Sequence, residues 1–158
     1  MKIPRRRRLE RKTDYKARFG LLKSRTKRLV VRKTNRYIIA QIVETDICQD
    51  QVLMGMNSKE LLTRGWPKEN SGSLKSLPAA YLTGFLLGKS AKKKDINDLI
   101  FDMGMYRNVH KSRIYALLRG ALDSGLEITH DPEVIPTDEY LQKNEKIFTL
   151  VKKIKEKE

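Results

Sequence analysis

The sequence holds a single cysteine, Cys48, and only two histidines. One cysteine excludes an intramolecular disulfide, and a zinc site would have to be assembled from two histidines and carboxylates. His110 and His130 stand twenty residues apart, in no metal-ligand spacing, and read as ordinary surface or loop residues. Cys48 has no adjacent base, and the acids Glu44 and Asp46 before it work against a reactive thiolate, so it reads as a half-buried small apolar residue. The first residues, Met1-Lys2-Ile3-Pro4-Arg5-Arg6-Arg7-Arg8, lack the apolar stretch of a secretory signal. The longest apolar run, near Leu77 to Leu87, is interrupted and too short to span a bilayer. Phosphate-cradling glycine motifs are missing too, since Gly88-Lys89-Ser90 follows a helical pattern instead of opening one. These absences leave an expectation of a soluble, cytoplasmic protein with no metal, no cofactor, no small-molecule substrate and no membrane contact.

Positive charge, by contrast, is abundant. The 158 residues carry a formal net charge of +15 with a pI near 10.0, an imbalance that costs self-repulsion unless a polyanion neutralises it. Its distribution is lopsided. Residues 1–36 hold sixteen Lys or Arg against two acids, Glu10 and Asp14, a net of +14, whereas the remaining 122 residues hold eighteen against seventeen, a net of +1. A nearly neutral body, with 39% hydrophobic residues and enough apolar surface for one core, therefore carries one strongly basic arm.

Periodicity along the chain predicts the elements. The cationic stretch from Lys2 to Lys12 has no apolar pattern and is expected to be disordered alone. From Asp14 to Arg28, Tyr15, Phe19 and Leu22 recur at helical spacing, which predicts a basic amphipathic helix interrupted or bent near Gly20. Leu29-Val30-Val31 and Tyr37 to Val43 are β-branched runs joined by Lys33-Thr34-Asn35-Arg36, a hairpin pattern, with a third strand at Gln51 to Met56. Ser58 is expected to cap a short helical turn ending before Gly65, and Trp66 to Lys75 reads as a loop and a candidate contact loop.

A buried helix follows over Leu77 to Lys93, with Ser76 as N-cap and Ala79, Ala80, Gly84 and Gly88 set for close packing on a sheet. Leu99 to Phe101 reads as a crossover strand, Lys111 to Ser124 as a second helix stopped by Gly125, and Glu127 to Pro136 as turns. Asp138 to Glu158 is a polar helix or pair of helices, with Ile147, Leu150, Val151 and Ile154 as a narrow stripe. The fold class is thus α/β, α+β-like: a mixed sheet containing an antiparallel three-stranded meander, helices packed on it, a basic N-terminal extension and a C-terminal helical appendage. The expected division is an RNA-binding arm and helix over 1–27, an α/β core over 28–130 and a helical extension over 131–158.

Arginine pairs bidentately with phosphate and stacks on bases, aromatic rings stack on unpaired bases, and asparagine reads base edges. Candidate nucleic-acid contacts in the arm and hairpin are therefore Arg5, Arg6, Arg7, Arg8, Arg11, Lys12, Tyr15, Lys16, Arg18, Lys23, Arg25, Lys27, Arg28, Arg32, Lys33, Asn35, Arg36 and Tyr37. A second, smaller surface is the polar loop running into a helix N-terminus, with Arg107, Asn108, His110, Lys111 and Arg113. A general basic RNA- or DNA-binding protein, or an RNA chaperone, has the same composition, because an arm of cations alone does not choose among polyanions. A magnesium-dependent nuclease built on Asp98, Asp102 and Asp123 is the enzymatic alternative, and that spacing reads as coincidence.

Five segments in order carry a family likeness: Lys12-Thr13-Asp14-Tyr15; Arg28 to Arg32 with Asn35 and Ala40-Gln41-Ile42; Ala79-Ala80-Tyr81-x-Thr83-Gly84; Asp102-x-Gly104; and Arg113-x-x-Ala116-Leu117-x-x-Gly120-Ala121-x-Asp123-x-Gly125-Leu126. Through them the chain, from about Arg5 to His130, resembles the universal large-subunit ribosomal protein family that carries 5S ribosomal RNA, the eighteenth, in its archaeal and eukaryotic form. The resemblance implies a three-layer α/β domain with a basic extension and no enzymatic activity. It implies 5S rRNA, large-subunit rRNA and neighbouring ribosomal proteins of the central protuberance as partners, with 5S rRNA attached there to the large-subunit rRNA. It also implies that Arg5, Arg6, Arg7, Arg8, Arg11, Lys12, Tyr15, Arg25, Arg28, Arg32, Asn35 and Arg36 lie at the 5S RNA interface.

Overall fold

The β-branched runs pair as their pattern requires. In the computed structural model, which describes residues 3–46, 49–141, 151 and 153–155, β1 (Arg28–Lys33), β2 (Ile38–Asp46) and β3 (Gln49–Asn57) form an antiparallel meander. Cys48 lies outside the described residues. Strand β4 (Asp98–Asp102) runs parallel to β1, and a two-residue β5 (Glu127–Ile128) parallel to β4, giving the order β3-β2-β1-β4-β5. The mixed sheet and its helices are as expected. Strand β5 is not, because two residues are too few to show a period of two.

Strand alternation sends Leu29, Val31, Ile38, Ala40, Ile42 and Leu99 to one face, where they join the buried cluster with α3 (Leu77–Lys92) and α4 (Arg113–Asp123). Helix α3 lies on the sheet and α4 lies on α3, with Phe101 of β4 and Tyr115 of α4 in ring contact, centroids 6.1 Å apart. Gly84 and Gly88 of α3 face α4, not the sheet. A Cβ at Gly84 would sit 2.0 Å from the Leu117 carbonyl oxygen, and one at Gly120 of α4 would sit 2.0 Å from that of Tyr81. The two backbones approach at glycines contributed by both helices.

The opposite face carries Arg28, Val30, Arg32, Gln41, Val43 and Asp102. The N-terminal segment lies beside it instead of a packed helical layer: α1 (Arg6–Leu9) and α2 (Tyr15–Lys23) contain no buried residue. Arg6 to Leu9 does form a single turn, and α2 passes through Gly20 without a break. Its apolar residues do not make a core-facing stripe, since Phe19 is 70% exposed.

Three further local expectations change. Asn57, not Ser58, caps the 3-10 turn Ser58–Leu62 in a reciprocal arrangement with Glu60, while the buried Ser58 hydroxyl accepts the Ile38 amide at 3.0 Å. Ser76 has the extended N-cap conformation of α3 but its side chain makes no cap. Trp66 is buried, its indole N–H donating to the Asn70 carbonyl at 3.2 Å, and Lys68–Ser73 forms 3-10 turns kinked at Asn70 with no buried residue, so Trp66 and Leu74 anchor in the core an otherwise surface segment. At the other end, Asp138–Leu141 forms α5, and Val151 and Ile154 enter the same buried cluster as the rest of the molecule. The rest of the helix or helices expected over Asp138 to Glu158, with Ile147 and Leu150, lies outside the described residues.

Candidate nucleic-acid interface

The arm's two acids are both occupied. Glu10 pairs with Lys12 at 2.8 Å and Arg6 at 3.6 Å. Asp14 is the N-cap of α2, its carboxylate accepting the Lys16 and Ala17 amides at 2.9 and 3.2 Å, the arrangement a helix start needs to satisfy its orphan donors. Arg7 donates to the Thr13 hydroxyl at 2.9 Å, and the Arg5 guanidinium stacks 4.7 Å from the Tyr15 ring centre. Arg8, Arg11, Lys16, Lys23 and Arg25 are exposed, and Arg11 and Arg25 adopt left-handed backbone angles (φ 51° and 57°) at the bends flanking α2.

Arg28 departs from expectation. It is 1% exposed, and its guanidinium donates to Asp102 at 2.8 Å and to Thr45 and Asp50 at 2.9 Å each. Its position in the strand explains this: alternation from Leu29 and Val31 points Arg28 to the second face, where β4 places Asp102 and β3 places Asp50. Arg28 is a structural ion-pair residue and is withdrawn from the candidate RNA contacts. Arg18 is half-committed as well, donating to the other oxygen of Asp50 at 2.7 Å. Burial by itself would raise the Asp50 carboxyl, but the Thr45 hydroxyl, the Arg18 hydrogen bond and the nearby Arg28 charge together hold it below the ordinary carboxylate value.

Arg32 lies next along this face. Its guanidinium donates to the Val31 carbonyl at 2.8 Å and stands 4.0 Å from Asp102. Gly104, at φ 65°, lies against it: a Cβ there would come within 2.8 Å of Arg32 Nη1. A cleft of about 480 Å³ opens here between Arg7, Lys12 and Arg18 of the arm and Arg32 and Met103 of the sheet side. Lys27 is 3.9 Å from Glu44.

At the hairpin end, the Thr34 hydroxyl accepts the Tyr37 amide and donates to the Tyr37 carbonyl, both at 2.9 Å. Asn35 and Arg36 are exposed at the tip, while Tyr37 is half-buried against the core. Lys33 is fastened to a distant segment: the Tyr106 hydroxyl accepts its amide at 2.9 Å and donates to its carbonyl at 2.6 Å, and its ammonium lies 5.6 Å from the Tyr106 ring centre. This joins the hairpin to the loop before α4 in one open groove of about 750 Å³, lined by Lys33, Arg107, His110, Lys111 and Arg113, with no acidic side chain among the described residues that line it. Asn108 is exposed, and its side-chain oxygen accepts the Tyr115 hydroxyl at 2.6 Å. The Lys111 amide donates to the Val134 carbonyl at 2.8 Å, with Lys111 at φ 56°, so the loop is pinned from the C-terminal side also.

Two regions read separately in the sequence thus form one surface. Met105, 51% exposed, lines both the arm cleft and the groove. No local pattern distinguishes Met105, or Tyr106 as the tie between the regions; only the 73-residue separation of Tyr106 and Lys33 being closed in space reveals it.

The carboxylates of the nuclease alternative do not converge on a metal. Asp102 is taken by Arg28, and Asp123 accepts the Tyr81 hydroxyl at 2.6 Å. Among the described residues no cluster of three or more His, Cys, Asp or Glu side chains is placed to hold an ion. Nor is any helix among them long and apolar enough to cross a membrane.

Most of the chain is similar to known proteins. Residues 1–101 match the family model described as ribosomal large subunit proteins 60S L5 and 50S L18. A large ribosomal subunit protein uL18 of Korarchaeum cryptofilum is 44% identical over 155 residues, covering 98% of this chain and 77% of that protein. Proteins of the same name from Methanococcus maripaludis and Aeropyrum pernix are 43% and 41% identical, covering 89% and 87% of this chain and 70% and 63% of their own lengths. The likeness to the Korarchaeum protein continues past His130, where the sequence signature ends.

Proposed function

This chain belongs to the family of ribosomal large subunit proteins 60S L5 and 50S L18, and from that membership we propose that it binds 5S rRNA and helps attach it to the large-subunit rRNA in the central protuberance. Family membership makes it a structural, non-catalytic component of the large ribosomal subunit. The observation that carries the RNA reading is the concentration of a net +14 in residues 1–36. These residues adjoin a second basic groove that the Tyr106–Lys33 tie brings to the hairpin.

In this reading, Arg5, Arg6, Arg7, Arg8, Arg11, Lys12, Lys16, Lys23 and Arg25 displace counterions from phosphates. Arg32, Lys33, Asn35 and Arg36 extend the contact along the hairpin, and Arg107, His110, Lys111 and Arg113 extend it across the groove. Large-subunit rRNA and adjoining ribosomal proteins are the further partners. The domain's contribution is orientation: phosphate contacts fix register, and hairpin side chains then meet bases and sugars.

The test is a salt series of 5S rRNA affinity beside an equal length of duplex DNA. If about ten phosphates are engaged, the log–log salt slope is expected to lie at roughly −7 to −9. Deleting residues 1–12 is expected to make it shallower and binding much weaker while the domain stays folded. Full-strength binding by the truncated protein would refute the role of the arm, and equal affinity for DNA would favour a general basic-binding or RNA-chaperone function.

A further inference from the structure

Helix α2 presents a mechanical problem. It carries Lys16, Arg18 and Lys23 yet buries no residue, so packing alone does not fix it to the domain. Among the described residues, the only hydrogen bond or ion pair from an α2 side chain to the sheet is that of Arg18 to Asp50, at 2.7 Å. Asp50 is itself held. Its other oxygen accepts from Thr45 at 2.8 Å and from Arg28 at 2.9 Å, and Arg28 is fixed in turn by Asp102 on β4. A chain of alternating charge, Arg18–Asp50–Arg28–Asp102, therefore leads from the arm helix into the centre of the sheet.

We propose that Asp50 is a positioning residue for RNA binding: it holds α2 of the basic arm against the sheet, so that arm and hairpin meet the RNA already oriented. This rests on the RNA-binding function proposed above. A carboxylate beside a cationic surface repels phosphate, so on charge alone its removal would leave RNA binding unchanged or tighter. If it orders α2 in advance, its removal weakens binding, because the helix must then be fixed at the moment of association. The two accounts predict opposite directions for one isosteric change.

The experiment compares the full chain with its Asp50→Asn, Arg18→Gln and Lys23→Gln variants, using transcribed 5S rRNA at one fixed salt concentration and amide hydrogen exchange on the free proteins. Lys23→Gln removes a cation from the exposed last turn of the same helix and is the charge-matched control for Arg18→Gln. Asp50→Asn is expected to speed exchange of the α2 amides about tenfold while β1 and β2 stay protected. It is expected to lower 5S rRNA affinity about three- to tenfold, and Arg18→Gln to lower affinity by a similar factor beyond Lys23→Gln.

Unchanged or tighter RNA binding by Asp50→Asn overturns the proposal, as does α2 exchange that neither Asp50→Asn nor Arg18→Gln alters. If Asp50→Asn loosens β1 as well, Arg18→Gln decides, since it leaves the Asp50–Arg28 pair in place. A native chain with no preference for 5S rRNA refutes the proposed function instead, and the exchange data on the free proteins still decide whether Asp50 holds the helix.

Discussion

Replacing Arg28 separates a structural cation from the RNA-facing ones around it. Arg28→Met keeps most of the aliphatic stem but removes a guanidinium that is 1% exposed and bonded to Asp102, Asp50 and Thr45 at 2.8–2.9 Å. Breaking a buried ion pair from one side costs about 3–5 kcal/mol, chiefly because the other charge is left without its partner. Asp102, with its side chain 8% exposed, keeps the Gly104 amide at 2.8 Å and the Arg32 guanidinium at 4.0 Å, so the lower end, about 3 kcal/mol, is expected here. For a chain of this length that lowers the melting temperature by roughly 6–12 °C.

The assay is urea denaturation of Arg28→Met, Asp102→Asn and the double variant. Asparagine keeps an acceptor for Gly104, so the double variant is expected to recover at least ~1 kcal/mol relative to additivity. An Arg28→Met protein of native stability that binds RNA poorly would refute the structural assignment and return Arg28 to the interface.

Two other outcomes follow from the geometry. Gly120→Ala sets a methyl 2.0 Å from the Tyr81 carbonyl oxygen, which forces α3 and α4 apart; the expected cost is about 2–3 kcal/mol by denaturation, and a change below about 0.5 kcal/mol would show that the helices do not meet as closely as described. Asp50 is held below its ordinary value of 3.8, so the stability it contributes is present above that value and is lost as pH falls through it toward the lower folded-state value. Unfolding midpoints measured in acid should accordingly fall less steeply for Asp50→Asn than for the native chain, and parallel curves would contradict the role of its hydrogen bonds.

Much of this protein was legible in the sequence because it depends on properties local to the chain. The concentration of cations in residues 1–36 is a matter of composition. The meander over Arg28–Asn57 follows from β-branched runs around a polar turn, and α3 and α4 from helical runs, the first opened at Ser76 and the second stopped by Gly125. The five family segments are likewise read directly off the residues.

What only the tertiary structure decided is which charges remain available. Arg28 looks no different from its cationic neighbours until β4 pairs parallel to β1 and delivers Asp102, 74 residues away, to the same face. Lys33 and Tyr106 meet across 73 residues, which turns two basic segments into one groove. Gly84 meets the backbone of α4, and Gly120 that of α3, only when the two helices pack, so a glycine expected to serve the sheet serves a helix pair. The reason is common to all three: composition and periodicity act over one or two turns of chain, whereas the partner that neutralises a charge or fills a gap is chosen by strand pairing and helix packing between segments far apart in sequence.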